Sequence, residues 1–281
     1  MDIKDLLDVP PWEWTGEASE IVLDALTDKR NEPDRLIAAE LAGELVVMND
    51  EMAETLLEIV SSGSESEKLR ARAVIALGPV LEEADTEFAD GKFDDPEAVP
   101  IREHTFLALV DALRRLYVDD HIPREVRRRI LEASARAPQD WHADAVRNAY
   151  SSGDKDWVLT AVFCMSSVRG FETEILECLK NADPLIHFQA VRAAGHSELA
   201  AAWPHVVDLV NDPATPKPLR LAAIEAVGNI HPREARKVLA ALSNSPDQEI
   251  AHAADEVLGM AAAMSGELEA EEDENKTEWI N

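Results

Sequence analysis

The chain has 281 residues, of which 46% are hydrophobic and only 5% aromatic, so its apolar side chains are mostly those that suit close-packed helices. Asp and Glu number 56 against 27 Lys and Arg, and the formal net charge of −29 disfavours nucleic acid and anionic membranes as partners. With two cysteines, no apolar run of membrane-spanning length and an acidic start without a signal-peptide core, the chain is expected to be a cytoplasmic protein without disulfides.

The acid surplus has two interpretations. Lysine is the scarcer of the two cations, and acid-rich, lysine-poor surfaces are typical of proteins from salt-accumulating organisms. An ordinary acidic soluble protein is the alternative, and the sequence leaves both open.

Residues 1–32 are predicted to cap a helical array. The segment PPWEWTG places Trp12 and Trp14 ahead of a predicted helix over about 17–28. Because a terminal repeat exposes an unpaired apolar face, the tryptophans are expected to cover it, with a ligand platform as the alternative.

From residue 33 onward one pattern recurs, in which a helix ends at a residue that we call the marker. The markers are Gly43, Gly78, Ala135, Ser166, Gly195, Gly228 and Gly259. Where the marker is Gly, we expect it to end the helix in the left-handed conformation.

Five residues before each marker stands a column that is small in all but one repeat: Ala38, Ala73, Ile130, Ala161, Ala190, Ala223 and Ala254. A small side chain there lets a neighbouring helix approach closely.

A second column stands eight residues before each marker and is often cationic. It contains Arg35, Arg70, Arg127, Val158, His187, Arg220 and Ala251. We expect these side chains to face solvent or to bond to the preceding loop.

Two charged segments interrupt the pattern. Residues 82–100 form an acidic insertion, which we interpret as a surface excursion in preference to a binding element. Residues 121–147 gather arginines, histidines and Trp141 in an otherwise acidic chain. This segment is either a recognition patch or a helix whose Arg124 and Arg128 pair with local acids such as Glu125 and Glu132.

The clearest repeats lie between 183 and 259, where each first helix is expected to follow Asp183-Pro184, Asp212-Pro213 or Pro246-Asp247. The pattern DPLIHFQAVRAAG followed by AAAWPHVVDLVND resembles a HEAT repeat, of the HEAT-like type found in phycobilin lyase subunits and many helical scaffolds. The resemblance covers roughly 33–264 and implies an all-α fold, an α-α superhelix built as a right-handed solenoid of about seven helical hairpins. Residues 265–281 are an acidic tail, predicted to be disordered.

Motifs for chemistry are missing from the sequence. HEAT-repeat deoxyhypusine hydroxylases carry paired His-Glu dipeptides for a di-iron centre, whereas none of the eight histidines here is followed by Glu. No HExxH, P-loop, dinucleotide-binding glycine motif or CxxC is present either. Cys164 is expected to be buried and inert, and Cys178 to be more exposed. We predict no catalytic residue, no cofactor and no metal.

The sequence therefore predicts a non-catalytic scaffold or adaptor. It would bind a protein or peptide, a basic one included, on a concave face lined by the helices that follow the markers. The aromatic and arginine side chains expected to anchor the partner are Arg114, Arg115, Trp141, Arg147, Trp203 and Arg236. The alternative is a lyase-like or maturation factor that acts on a cofactor-bearing or modified protein. The oligomeric state is left open.

Overall fold

The computed structural model describes residues 2–89 and 100–261, and all the regular structure in those two ranges is helical. The chain divides into two compact units, Met1–Cys164 and Met165–Asn281. Each unit is an array of antiparallel helical hairpins. The predicted all-α helical-repeat class, a solenoid of hairpins, is therefore confirmed.

The first unit has nine α-helices in its described residues, preceded by two short 3-10 turns. They are α1 Ala18–Thr27, α2 Glu32–Leu41, α3 Asp50–Ser61, α4 Glu67–Ala76, α5 Gly78–Ala89, α6 Glu103–Val118, α7 Arg124–Ser134, α8 His142–Ser151 and α9 Lys155–Cys164. The marker helices α2, α4, α7 and α9 pack side by side in one layer, and α1, α3 and α6 follow one another in the other layer.

The second unit repeats this arrangement. Its helices are α10 Glu172–Cys178, α11 Pro184–His196, α12 Trp203–Asn211, α13 Lys217–Ile230, α14 Pro232–Leu239 and α15, which runs from 248 to at least 261. The marker helices α11 and α13 pack together, and α12 packs against α14.

The helices pair into hairpins differently from the prediction. The sequence pattern paired each marker helix with the helix after it, but each marker helix packs more extensively against the helix before it. The hairpins are therefore α1–α2, α3–α4, α6–α7 and α8–α9 in the first unit and α10–α11 and α12–α13 in the second. In this frame α1, which was predicted to belong to the cap, is the first helix of the first hairpin.

The small-residue column occupies the predicted place in the core. All seven residues of the column, from Ala38 to Ala254, are fully buried. Because six of them are alanines, the backbones of neighbouring helices can approach closely, as the sequence predicted.

The glycine markers do not end their helices in the left-handed conformation. Among described residues only Gly153, Gly170 and Glu198 have positive φ, and Gly195 and Gly228 lie inside their helices. A Cβ placed on Gly195 would lie 2.8 Å from both Cα and Cβ of Ala226 on α13. A Cβ on Gly228 would overlap the side chain of Val257 on α15 in the same way. Glycine is therefore required for close approach of the next marker helix, and not for a turn.

Three arginines of the cationic column bond to the end of the preceding helix. The Nε of Arg35 donates to the carbonyl of Leu26 (2.7 Å), and the Nε of Arg70 donates to that of Val60 (2.8 Å). Arg220 donates to the carbonyl of Val210 in the same manner (2.9 Å). These arginines satisfy carbonyls that the last helical turn leaves without a partner.

Arg35 and Arg70 are also buried, at 5% and 4% exposure, so of the two expected alternatives they do not face solvent but bond to the preceding segment. Arg35 completes its bonds with a bidentate ion pair to Glu65, at 2.6 and 3.0 Å, and this pairing holds the pKa of the Glu65 carboxyl below its usual value. The buried charge of Arg35 is therefore satisfied by both backbone and side-chain partners, whereas Nη2 of Arg70 has no hydrogen-bond partner among the described residues.

Helix starts match the predicted caps in two cases of three. The carboxylate of Asp183 accepts the backbone N–H groups of Leu185 and Ile186, and Asp247 caps α15 in the same way. Asp212 instead ends α12, and α13 begins only at Lys217, behind Pro216.

The predicted cap and insertion are only partly as expected. Trp14 packs against the core and donates its Nε1 to the carbonyl of Val9 (2.8 Å), but Trp12 is 82% exposed. Residues 82–89 of the predicted acidic loop belong to α5, so this part is helix and not loop. The remainder of the insertion up to 99 and the predicted tail 265–281 lie outside the described residues.

Candidate binding grooves

Each unit has an open groove along its marker helices. The groove of the first unit, of about 840 Å³, follows the outer face of α4 and is flanked by α2 and α7. Its floor is formed by small and apolar residues: Ala39, Gly43, Ala71, Ile75, Ala76 and Pro79.

The groove of the second unit, of about 750 Å³, follows α13 between α11 and α15. Its floor is more strongly apolar and includes Phe188, Pro218, Leu221, Val257 and Met260. The part of the side chain of Met260 that faces solvent is large, since the residue is 65% exposed.

The repeat builds both grooves from the same positions. The position three residues before the marker supplies Glu40 and Ile75 to the first groove, and Arg192, Glu225 and Glu256 to the second. The position seven residues before the marker lies one helical turn away on the same face, and it supplies Ala71 to the first groove and Phe188, Leu221 and His252 to the second. Side chains at these two positions decide the chemistry of the groove.

The rim of the first groove is balanced in charge. Arg72 pairs with Glu40 across α2 and α4. Arg129 bonds to both Glu125 and Glu132, at 2.9 and 2.8 Å. Because its cations are matched by adjacent carboxylates, this groove presents little net charge to a partner.

Four of the six predicted anchors belong to the first unit and lie on the other layer. Arg114 and Arg115 are exposed on α6, where Arg115 pairs with Asp111 (3.1 Å). Arg147 is exposed on α8 and pairs with Asp144 (2.8 Å). None of these arginines lines a groove described above.

Trp141, the fourth of these residues, is half-buried just before α8. Its ring stacks on His142 with 3.8 Å between centroids and contacts Tyr117 at 4.9 Å. The indole Nε1 is enclosed and finds no hydrogen-bond partner among the described residues. Much of the ring is therefore engaged in packing between α6 and α8.

The other two predicted anchors are in the second unit, also outside its groove. Trp203 begins α12, is half-buried and contacts the ring of His231 edge-on at 5.0 Å. Arg236 is exposed on α14. The binding role of all six anchors stays a prediction.

The arginines between 121 and 147 are each paired with a nearby acid. The ion pairs are Arg124–Asp154, Arg127–Asp120, Arg128–Glu125, Arg129–Glu132, Arg136–Glu82 and Arg147–Asp144. Of the two sequence interpretations, the structure favours the ion-paired helix. Arg128, expected on the solvent face, is instead buried and also donates to the hydroxyl of Thr160 (2.8 Å).

Ser134 and His142 form a close pair that could be mistaken for a catalytic dyad, with 2.9 Å between Oγ and Nε2. The backbone N–H of Gln139 donates to Nδ1 (2.8 Å), so Nε2 carries the proton and donates to Ser134. The serine hydroxyl in turn donates to the carbonyl of Ile130 (2.6 Å). Burial lowers the pKa of His142 to about 4. The pair is enclosed and fully bonded, so it serves packing.

A second polar pair occupies the cationic column in the second unit. His187 takes the place of the arginine, and its Nε2 lies 2.8 Å from Nε2 of His205 on α12. Burial lowers the pKa of both histidines, so one neutral ring donates to the other at neutral pH. This bond joins α11 to α12 where other repeats use an arginine and a carbonyl.

Both cysteines are buried, and they form no disulfide. Cys164 is buried as predicted, and burial raises the pKa of its thiol well above the usual value. Cys178 is only 2% exposed, so the expectation of a more exposed thiol is wrong. It faces the core because α10 packs against α11.

Residues 2–89 and 100–261 contain neither a cluster of metal-binding side chains nor a membrane-spanning helix. No group of three or more His, Cys, Asp or Glu side chains there could hold a metal ion. No helix in the same ranges is long and apolar enough to cross a membrane.

Comparisons with known proteins add little to this geometry. No family model matches the chain, and no curated protein sequence matches it significantly. A solved structure of human deoxyhypusine hydroxylase in complex with glycerol aligns with a TM-score of 0.42 at 15% identity, over 90% of this chain and 87% of that chain. A similarity this low carries no functional inference. The class of the protein, an all-helical repeat array, follows from its own helices.

Proposed function

We propose that this chain is a non-catalytic scaffold or adaptor of the HEAT-repeat type, which binds a protein or peptide partner along its marker helices. The observation that carries the proposal is the apolar-floored groove found on the marker-helix layer of each unit. The HEAT assignment is supported by the hairpins and by the buried small-residue column that recurs in every repeat.

The shape of these grooves suits an extended or helical peptide. Each groove lies over one central marker helix and between two others, so its length is set by a helix of several turns. An apolar floor with charged residues at its edges is the arrangement that receives one face of an amphipathic segment. In each unit, the predicted anchors would form a separate contact surface on the layer opposite that unit's groove.

The alternative, a lyase-like or maturation factor, gains no specific support. Its expected sign is a deep polar pocket with a strongly shifted ionisable group. The two groups with the largest pKa shifts, His142 and Cys164, are buried and line neither groove. Colour or a bound ligand in the purified protein would favour this alternative.

A cytoplasmic location also stays a prediction. The two free thiols, Cys164 and Cys178, are compatible with a reducing compartment.

The experiment is affinity capture from native extract with three versions of the full chain. Ala71→Trp and Leu221→Asp alter the floors of the two grooves, and a third version carries Ala at the six predicted anchors. The proposal expects the groove variants to lose proteins that wild type retains. If every captured protein survives both groove changes while circular dichroism shows intact helices, the groove proposal fails. Loss with the six-anchor version alone would transfer the function to the other layer.

A further inference from the structure

The groove of the second unit differs from the first in its charge. Glu225 and Glu256 stand on its rim, and neither has a Lys or Arg partner within the part of the chain that the structure describes. Glu249, also on the rim, shares the ammonium of Lys217 with Asp247. Arg192 is the cation that lines this groove. The rim is therefore net acidic, unlike that of the first groove.

The two carboxylates without a Lys or Arg partner, of which Glu256 lies 3.6 Å from Nε2 of His252, have a defined relation to the apolar floor. Glu225 on α13 and Glu256 on α15 occupy the same repeat position, three residues before the marker, on adjacent helices. The floor between them includes Leu221, Val257 and Met260. The stretch of α13 that lines the groove, from Pro218 to Asn229, covers about three helical turns.

Charge discriminates among the occupants that an apolar groove could have. The chain's own segment 265–281 is acidic, and a second copy carries the same formal charge of −29, so both would be repelled by this rim. Anionic membranes and nucleic acid are disfavoured for the same reason. A cationic protein segment is the occupant whose charge complements the site.

Resting on the proposed scaffold function, we infer that the groove of the second unit binds a basic amphipathic helix of a partner protein. Apolar side chains at i, i+3 or i+4 and i+7 lie on the floor formed by Phe188, Leu221 and Val257. Lys or Arg side chains on the flanks of the helix reach Glu225 and Glu256. Met260, flexible and exposed, adapts to the shape of the apolar face.

The test uses two labelled synthetic peptides of about 18 residues, long enough for a helix to form in water. Both carry Leu at i, i+3, i+4 and i+7 on an Ala background, and the flanks are Lys in one and Glu in the other. Fluorescence anisotropy with the full chain is expected to show the Lys peptide binding at least about ten-fold more tightly than the Glu peptide, with affinity falling as salt is added. Equal binding of the two peptides, or none of the Lys peptide, overturns the inference.

Charge reversal locates the site. Glu225→Lys with Glu256→Lys is expected to weaken binding of the Lys peptide about ten-fold, the effect of two exposed ion pairs lost and reversed. The matched control, Glu172→Lys with Glu234→Lys, makes the same change of net charge outside the groove and is expected to alter affinity less than about two-fold. Equal weakening by both double variants would mean that general charge attraction, and not this groove, binds the peptide.

The outcome is separable from that of the scaffold proposal. If the Lys peptide fails to bind while natural proteins captured by wild type are still lost with Ala71→Trp, the scaffold function stands and the inference on the second groove falls. Melting temperatures of all variants, measured in the same buffer, show that altered binding does not come from unfolding.

Discussion

Gly195 and Gly259 stand at the same position of the repeat, yet the structure predicts opposite effects for the same substitution. A Cβ at Gly195 would lie 2.8 Å from Cα and Cβ of Ala226, well inside the usual contact distance of about 3.5–4.0 Å. Overpacking of this kind lowers the free energy of unfolding by about 1–3 kcal/mol. Replacing a glycine by alanine inside a helix raises it by about 0.5–1 kcal/mol. Gly195→Ala should therefore destabilise the protein by about 1–2 kcal/mol.

No atom of the described residues lies within 4 Å of a Cβ at Gly259, so Gly259→Ala should stabilise by about 0.5–1 kcal/mol. The measurement is urea unfolding followed by far-UV circular dichroism, with midpoints compared at unchanged slope. If the glycines ended their helices in the left-handed conformation, both variants would be destabilised. That result, or a Gly195→Ala variant as stable as wild type, would refute the close-packing explanation.

Four further predictions test the buried polar groups and the surface charge. Arg35→Ala should destabilise by about 3 kcal/mol, because its carboxylate partner loses a buried cation, whereas Arg30→Ala, at a side chain that is 90% exposed, should leave the unfolding midpoint nearly unchanged in the same assay. Because the pKa of His142 is about 4 when folded and near 6.5 when unfolded, stability should fall by up to about 3 kcal/mol as pH drops from 6.5 to 4, and His142→Gln should flatten that slope. Cys164 and Cys178 should not react with a thiol reagent until the protein unfolds, and labelling of either in the native state would contradict their burial. If the acidic surface is an adaptation to salt, the melting temperature should rise between low and molar salt, and a flat curve would remove support for that hypothesis.

The sequence predicted the repeat well because each packing contact recurs with the same spacing. The column from Ala38 to Ala254 is buried throughout, and the capping roles of Asp183 and Asp247 depend only on local backbone geometry. Helix type and approximate bounds are determined by such short-range signals.

What the sequence could not predict depends on which helices face each other. Because each marker helix pairs with the helix before it, Arg35 is buried between α1 and α2, and Cys178 is buried where α10 packs against α11. The same pairing places the grooves on the marker layer and the six predicted anchors on the other. The sequence did contain a signal for the grooves, because the positions three and seven residues before the marker line both of them. The sequence alone does not show that this face of the marker helices is left open, so the signal could not be recognised as a groove.

Hydrogen–deuterium exchange of the full chain, alone and with a partner captured on it, shows whether partners bind in the marker-helix grooves. Slower exchange is expected in the marker-helix segments that line a groove, 67–79 in the first unit or 218–229 with 249–261 in the second. Slower exchange confined to 103–118, 142–151 and 203–211, the helices that carry or adjoin the predicted anchors, would contradict it.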